Sequence, residues 1–542
     1  MDFLLIVLGS LTVAGTLILL VPHIRNALTS LPLPERLRLP PKKRPSVLLE
    51  SSPLNEKTGP TKSKETWNGG LSEDRVVGEW QPVQFDYPRV EADTSFDVNT
   101  AKTPSYRPFR WGKYYVTMGI RPMPWDEWLQ IDNRWPHYHA IKVDRMAKQG
   151  TNVVRTEEPK TGIPGGALPA KELVHEMAEY LSRRFPQMYT VTRKAPLPGD
   201  FGWYGEGEIK TIRIHAPAPA ANGSLDESGH DDEAHRGRPV GSRDSAEGYN
   251  PGVDVTYDLD VEDPMSVAGL LVQDDLALMV EGSDGRYYFQ AGSICLAGFW
   301  RMIDKIGLPL EEIHTRGRVP QYETKLHLSL GRFFSKLRLD KPVVRNNYFV
   351  QVVDTSPVAA SPSPSGCPMS TIAPLSDAPH PLPTPTFDAN APTIGRTSRL
   401  VDPDQIGWSD STNGPEGVFD QGPKAPTPSS LLAGTFEPPA PTSDVGAVRL
   451  RQERQSLRRL PRSGAVVFTI RTYIDRFTSL AKEKGVPGRL ASAIRSWPED
   501  VAEYKGQELY RDAVLPYLDA EHAKQVAAGI FVEGEKSSDY PF

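Results

Sequence analysis

Cysteine is nearly absent: Cys295 and Cys367 are the only two in 542 residues. So few thiols exclude a disulfide framework and an iron–sulfur cluster held by four thiolates, and they fit a reducing compartment. Nucleotide-binding loops are missing too. The glycines at 202, 205 and 207 lack the G-x-G-x-x-G spacing, and no Walker loop occurs. His175-Glu176 begins a zinc-protease pattern, but Glu179 stands where the second histidine is needed, which predicts a solvated helix face. His230 and His235 fall in a stretch without periodicity, where a metal site is the weaker reading. A net charge of −6 is small for this length and argues against a nucleic-acid partner.

Side-chain charge is also absent from residues 3–21, an apolar run preceded only by Asp2. At about 1.5 Å per residue it can cross a hydrocarbon core. A cleaved secretory signal is the alternative, but such a signal wants a basic start and a small-residue cleavage site. The run therefore predicts a single transmembrane anchor. Arg25, Arg36, Arg38, Lys42, Lys43 and Arg44 all follow it, so the body is expected on the cytosolic side, at the endoplasmic reticulum or another internal membrane. The sequon at Asn222 would then never be glycosylated.

What is abundant is proline, 52 residues of it, concentrated where periodicity fails. Residues 22–103 read as a polar tether, and order is expected over 104–530. Two stretches, 215–252 and 356–444, read as disordered insertions by composition. Between them, apolar spacing from Ala170 to Phe185 predicts a helix closed by Pro186. Strands are expected at 276–280 and 286–290, joined by a turn at 282–285. A helix stripe runs through Leu326, Leu330, Phe333, Phe334 and Leu337. Further strands are expected at 342–353, 448–460 and 465–473, followed by short helices. The sum is one discontinuous α+β domain.

Dense polar strings punctuate these foldable segments. They are Gln273-Asp274-Asp275-Leu276; Trp300 with Lys305 and Gly307; Ile313-His314; and Arg345-Asn346-Asn347. Next comes Arg451, Glu453, Arg454, Gln455, Leu457, Arg458, Arg459, Leu460 and Pro461, and then Phe468-Thr469-Ile470 with Thr472-Tyr473. In this order they resemble the α-subunit of the heme-dependent oxidative N-demethylases, also called the HRQ family, over roughly 110–530 without the insertions. The resemblance implies a PAS-like antiparallel sheet with flanking helices around a heme b. It also implies oxygen-dependent removal of a methyl group from a small amine substrate, releasing formaldehyde. Electrons would come from NADPH through a separate reductase, since this chain carries no flavin or iron–sulfur signature.

Within the matched strings, His314 is the candidate axial ligand of the heme iron. Its alternative is a core histidine bonded to a carbonyl, and His137 and His139 are the other imidazoles considered. Arg345 and Arg454 are candidates for the heme propionates, because guanidinium forks fit carboxylates. Glu453 and Asp275 are the candidate catalytic acids, placed to bind a cationic amine or take its proton. For residues 451–459 the charge pattern alone favours a solvated strand edge, with Glu453 paired to a neighbouring arginine. Cys295, in apolar surroundings, reads as a core residue rather than a thiolate ligand. Two rivals to the enzyme are a PAS-like ligand sensor without turnover and a scaffold whose proline-rich segments dock partners.

Overall fold

The computed structural model describes residues 75–217, 252–353, 406–408, 416 and 440–531. The expected anchor at 3–21, the first part of the tether, most of both insertions, His230, His235 and Cys367 lie outside them. Among the described residues no helix is long and apolar enough to cross a membrane.

The first strands and helices are β1 (Arg121–Pro122), α1 (Trp135–Gln149), β2 (Val154–Thr156), α2 (Ala167–Arg184), β3 (Tyr189–Arg193) and β4 (Ile209–Ala216). Then follow β5 (Val253–Asp258), α3 (Pro264–Leu271), β6 (Asp275–Glu281), β7 (Tyr287–Ser293), α4 (Leu310–Arg316) and α5 (His327–Lys336). The chain ends with β8 (Val343–Val352), β9 (Val448–Arg459), β10 (Val466–Arg476), α6 (Phe477–Leu480), α7 (Val486–Arg495), α8 (Glu499–Tyr504) and α9 (Arg511–Ala527). Seven strands form one antiparallel sheet in the order β1-β8-β9-β10-β6-β7-β2, and β3-β4-β5 form a second. The α+β class and the strands expected around 276, 286, 342, 448 and 465 are present.

Side chains alternate across a strand, so register sorts the sheet into two faces. Glu453 pairs with Asn347 on β8 and Thr472 on β10, while Arg454 pairs with Asn346 and Arg471. The face carrying Arg454 packs on α1, α2, α3 and the small sheet through Trp135, Leu173, Met177, Leu276 and Val467. The face carrying Glu453 is apolar at one end, where Ala277, Met279, Leu457 and Val466 meet Phe334 and Met302. At its other end Ile474 packs with Cys295, Leu296 and Ile406. A polar stretch lies between these two apolar ends.

Four sequence expectations change. Residues 75–103 are not tether: Phe85, Val90 and Val98 are buried, Tyr87 stacks on Trp203 at 4.1 Å, and Trp80 donates to the Pro461 carbonyl. Scattered aromatics with no period gave no sign of this packing. The insertion assigned to 356–444 is interrupted, because Ile406 is fully buried, Glu416 is clamped by Arg145, and 440–444 lead into β9. His175, Glu176 and Glu179 are buried rather than solvated, with Glu176 holding Arg458 at 2.6 Å and Glu179 holding Arg193 at 2.6 Å.

The largest change concerns 451–459. β9 is an interior strand with all twelve residues buried. It tolerates five arginines because long guanidinium stems reach distant acceptors. Arg454 donates to the Trp128 and Glu127 carbonyls, and Arg459 to the carbonyls of Leu337, Phe334 and Gly464. Arg458 lies over the Trp125 and Trp128 rings at 4.7 and 4.2 Å and pairs with Glu176. Buried charge costs several kcal/mol per ion unless paired, so these partners are a condition for the strand's position.

Candidate functional site

His314 sits on α4, which Pro309 precedes at its N-cap and whose first turn is acidic. Its Nδ1 lies 2.7 Å from the Leu310 carbonyl. A carbonyl only accepts, so the hydrogen is on Nδ1, and among the described residues no hydrogen bond is made to Nε2. Burial pushes His314 down to about 4; the Leu310 bond opposes this shift, and the charges of Lys305 and Arg345 reinforce it. The imidazole is therefore neutral at pH 7. Its ring stacks on Tyr322 at 4.9 Å, which fixes its plane. A carbonyl holding one ring nitrogen while the other is presented is the usual arrangement of a metal-ligating histidine. The core-histidine alternative shares the same carbonyl bond.

Arg345, on β8, faces the same side as Glu453. Among the described residues it makes no ion pair, and its Nε is buried with no acceptor. Burial lowers its pKa, against the pull of Glu453. Among the described residues Lys305 has no carboxylate within ion-pair reach; its ammonium stands 4.5 Å from the Trp300 ring, and burial pushes it down to about 8. His314, Lys305 and Arg345 are each half-buried.

Glu453 is held from both sides, by Arg451 Nε at 3.2 Å and Gln455 Nε2 at 3.0 Å. Its charge acts on Lys305, Arg345, Tyr504 and Lys505. Lys505 follows α8, donates to the Tyr348 carbonyl, and lies over the Tyr348, Phe349 and Trp497 rings at 4.4, 4.7 and 5.3 Å. Burial pushes it down to about 7. The site thus joins His314, Lys305, Arg345, Glu453, Tyr504 and Lys505, with cations in excess of acids.

Arg454 and Asp275 play other parts. Arg454 projects from the opposite face and is committed to two carbonyls. Asp275 accepts from the Cys295 and Leu296 amides at 2.8 and 2.9 Å, and burial raises it to about 6. It anchors the chain leaving β7. His139 stacks on Trp135 at 4.7 Å, and among the described residues its buried Nε2 has no hydrogen-bond partner. Burial raises the Cys295 thiol to about 12, so it is protonated and packed in a core cluster.

Lys305, Arg451, Tyr504 and Lys505 were not singled out from the sequence. Lys305 and Arg451 both fall inside the polar strings of the sequence, and period two along 451–459 already separates Glu453 from Arg454. Lys505 and Tyr504 carry no local signal.

The residues fit a heme. A neutral imidazole offers an iron ligand, and two half-buried cations that make no ion pair among the described residues, Arg345 and Lys305, suit two carboxylates. The sequence gives the same answer: the family model described as haem-dependent oxidative N-demethylase, alpha subunit-like, matches residues 119–220, 243–379 and 405–515. These segments make up well over half of the chain and include every residue of the site. The chain belongs to the haem-dependent oxidative N-demethylase, alpha subunit-like family.

Proposed function

We propose that this protein is a membrane-anchored heme monooxygenase that removes a methyl group from a small methylated amine, using O2 and electrons from a separate reductase. The observation that carries the reading is the neutral His314, its Nδ1 held by a carbonyl, near Arg345 and Lys305, two cations that make no ion pair among the described residues. His314 would hold the iron of heme b, and Arg345 with Lys305 would hold its propionates. Bound there, heme supplies oxygen activation, which no side chain in this fold provides. Glu453, fixed by Arg451 and Gln455, would meet the cationic amine or accept its proton.

The strand order supports the PAS-like expectation. The five long strands pair as β7-β6-β10-β9-β8, with the first of the group beside the last and helices filling the crossover between β7 and β8. The anchor at 3–21 would keep the body near a membrane-bound electron donor on the cytosolic side. The test is an absorption spectrum of the purified chain with hemin, followed by formaldehyde release from dimethylamine under O2 with an added reductant. A Soret band with turnover supports the enzyme. A Soret band with tight ligand binding and no turnover favours the sensor, and a colourless protein rejects both.

A further inference from the structure

The stretch around α5 carries a charge opposite to that of the chain as a whole. Residues 316–341 hold seven lysines and arginines against two acids, in a chain whose net charge is −6. Arg316 is paired with Glu312, and Arg338 with Asp340. Arg318, Lys325, Arg332, Lys336 and Lys341 are exposed and make no ion pair among the described residues.

Helical spacing puts Leu328, Arg332 and Lys336 on one face of α5, and Lys325 stands one turn before them. Leu328 is 70% exposed, so an apolar side chain lies bare among these cations. The opposite face, with Leu330, Phe333 and Phe334, packs into the cluster that also holds Ile313, Leu457 and Phe468. A line of rings joins the outer surface to the candidate iron ligand. Tyr322 stacks on His314 at 4.9 Å and meets His327, the exposed first residue of α5, at 5.6 Å. The cationic helix therefore begins two ring contacts away from His314.

We propose that the outer face of α5 is the docking surface for an acidic electron-donor protein, with Leu328 at its centre and Lys325, Arg332 and Lys336 at its rim. This rests on the reading of His314 as the ligand of a heme iron. In the docked pair one electron leaves the donor, which is oxidised, and reduces the ferric heme to ferrous. Opposite charges steer such an encounter and hold it loosely, which suits a donor that must leave after each electron. The apolar centre inside a charged rim is the pattern of a protein interface.

The experiment uses the full chain loaded with hemin, and a reduced plant-type ferredoxin, an acidic one-electron iron–sulfur protein, as the probe. Heme reduction is followed in the Soret band by stopped flow. The rate is expected to fall about tenfold between about 20 and about 300 mM salt. The triple variant Lys325→Glu, Arg332→Glu, Lys336→Glu is expected to be about tenfold slower at low salt and to lose most of the salt dependence. A control with the same charge change at exposed sites on other elements, Lys102→Glu, Lys113→Glu, Lys210→Glu, is expected to stay within about twofold of the wild type. Equal slowing of the two triple variants overturns the proposal, as does a wild-type rate in the α5 variant. Leu328→Ala is expected to be about threefold slower with the salt dependence kept, and an unchanged rate takes the leucine out of the surface. The same variants without hemin are titrated against labelled ferredoxin by fluorescence anisotropy. If hemin is not taken up, the heme reading fails, and binding lost only in the α5 variant keeps the face as a site for an acidic protein. A wild-type chain that binds no ferredoxin overturns the proposal. Phosphatidylserine vesicles bound by the wild type and not by the α5 variant, with ferredoxin rates alike, reassign the face to a membrane and overturn it too.

Discussion

Glu453 and Arg454 are neighbours in the chain and stand on opposite faces of the sheet. Glu453 faces His314's side of the molecule; Arg454 faces α1 and α2 and is spent on carbonyls. Substitutions at these two positions therefore have different consequences. Arg454→Met is expected to cost about 1–3 kcal/mol of stability by orphaning two carbonyls, with hemin affinity unchanged. Chemical denaturation and a hemin titration check this; a selective loss of hemin binding in a stable variant would return Arg454 to the site.

For His314 the expectation is spectral. His314→Ala should remove or shift the Soret band of the hemin-loaded protein, and added imidazole should restore it by occupying the vacated ligand position. His139→Ala should leave the band unchanged. An unshifted spectrum in His314→Ala removes it as ligand.

Arg345 and Lys305 are tested with hemin and its dimethyl ester. The wild type should prefer the free acid by about tenfold or more, since charge-assisted bonds contribute about 1.5–3 kcal/mol each. Arg345→Met and Lys305→Met should each reduce that preference. Equal binding of acid and ester by the wild type would show that these cations serve something other than carboxylates.

His175 gives a pH dependence. Both its ring nitrogens are buried without a hydrogen-bond partner, it stacks on Phe201 at 4.9 Å, and burial pushes it down to about 4, against the pull of Glu208. Between about pH 6.5 and 4 the unfolded chain binds the proton and the folded chain does not, so stability falls as pH drops through that window. The loss from this residue is at most about 1.4 kcal/mol per pH unit. His175→Phe should flatten the acid limb in a series of thermal melts. Glu172, raised to about 7 by burial and the nearby Glu176, acts in the opposite sense: its contribution is lost as pH rises from its unfolded value towards 7. A wild-type limb unchanged by His175→Phe would assign the acid sensitivity to other groups.

The sequence made the hairpin β6–β7, the long strands and α2 legible, because each follows a clean period bounded by turn residues or proline. It also marked His314, Arg345 and Glu453, which the fold brings to one side. It misread 451–459 because charge density usually means solvent, and no local pattern reveals that Trp128, Leu337 and Phe334 supply carbonyls from far along the chain. Lys505 was invisible for the same reason. Two of its three aromatic neighbours, Tyr348 and Phe349, come from a distant strand, and only Trp497 is nearby in the chain. The docked residues Ile406, Gly407, Trp408 and Glu416 were hidden by composition, a few positions diluted in a long biased stretch.

The small sheet has a practical side. β4 ends at Ala216 and β5 begins at Val253, and those two residues are paired partners, so the chain leaves and re-enters the body at neighbouring strands. The closure entropy of such a loop grows only with the logarithm of its length. The junction between Ala216 and Val253 is thus tolerant: a short turn or a whole reporter domain placed between the two strands should leave the Glu453-bearing face of the large sheet undisturbed, which makes it the natural place to attach a label.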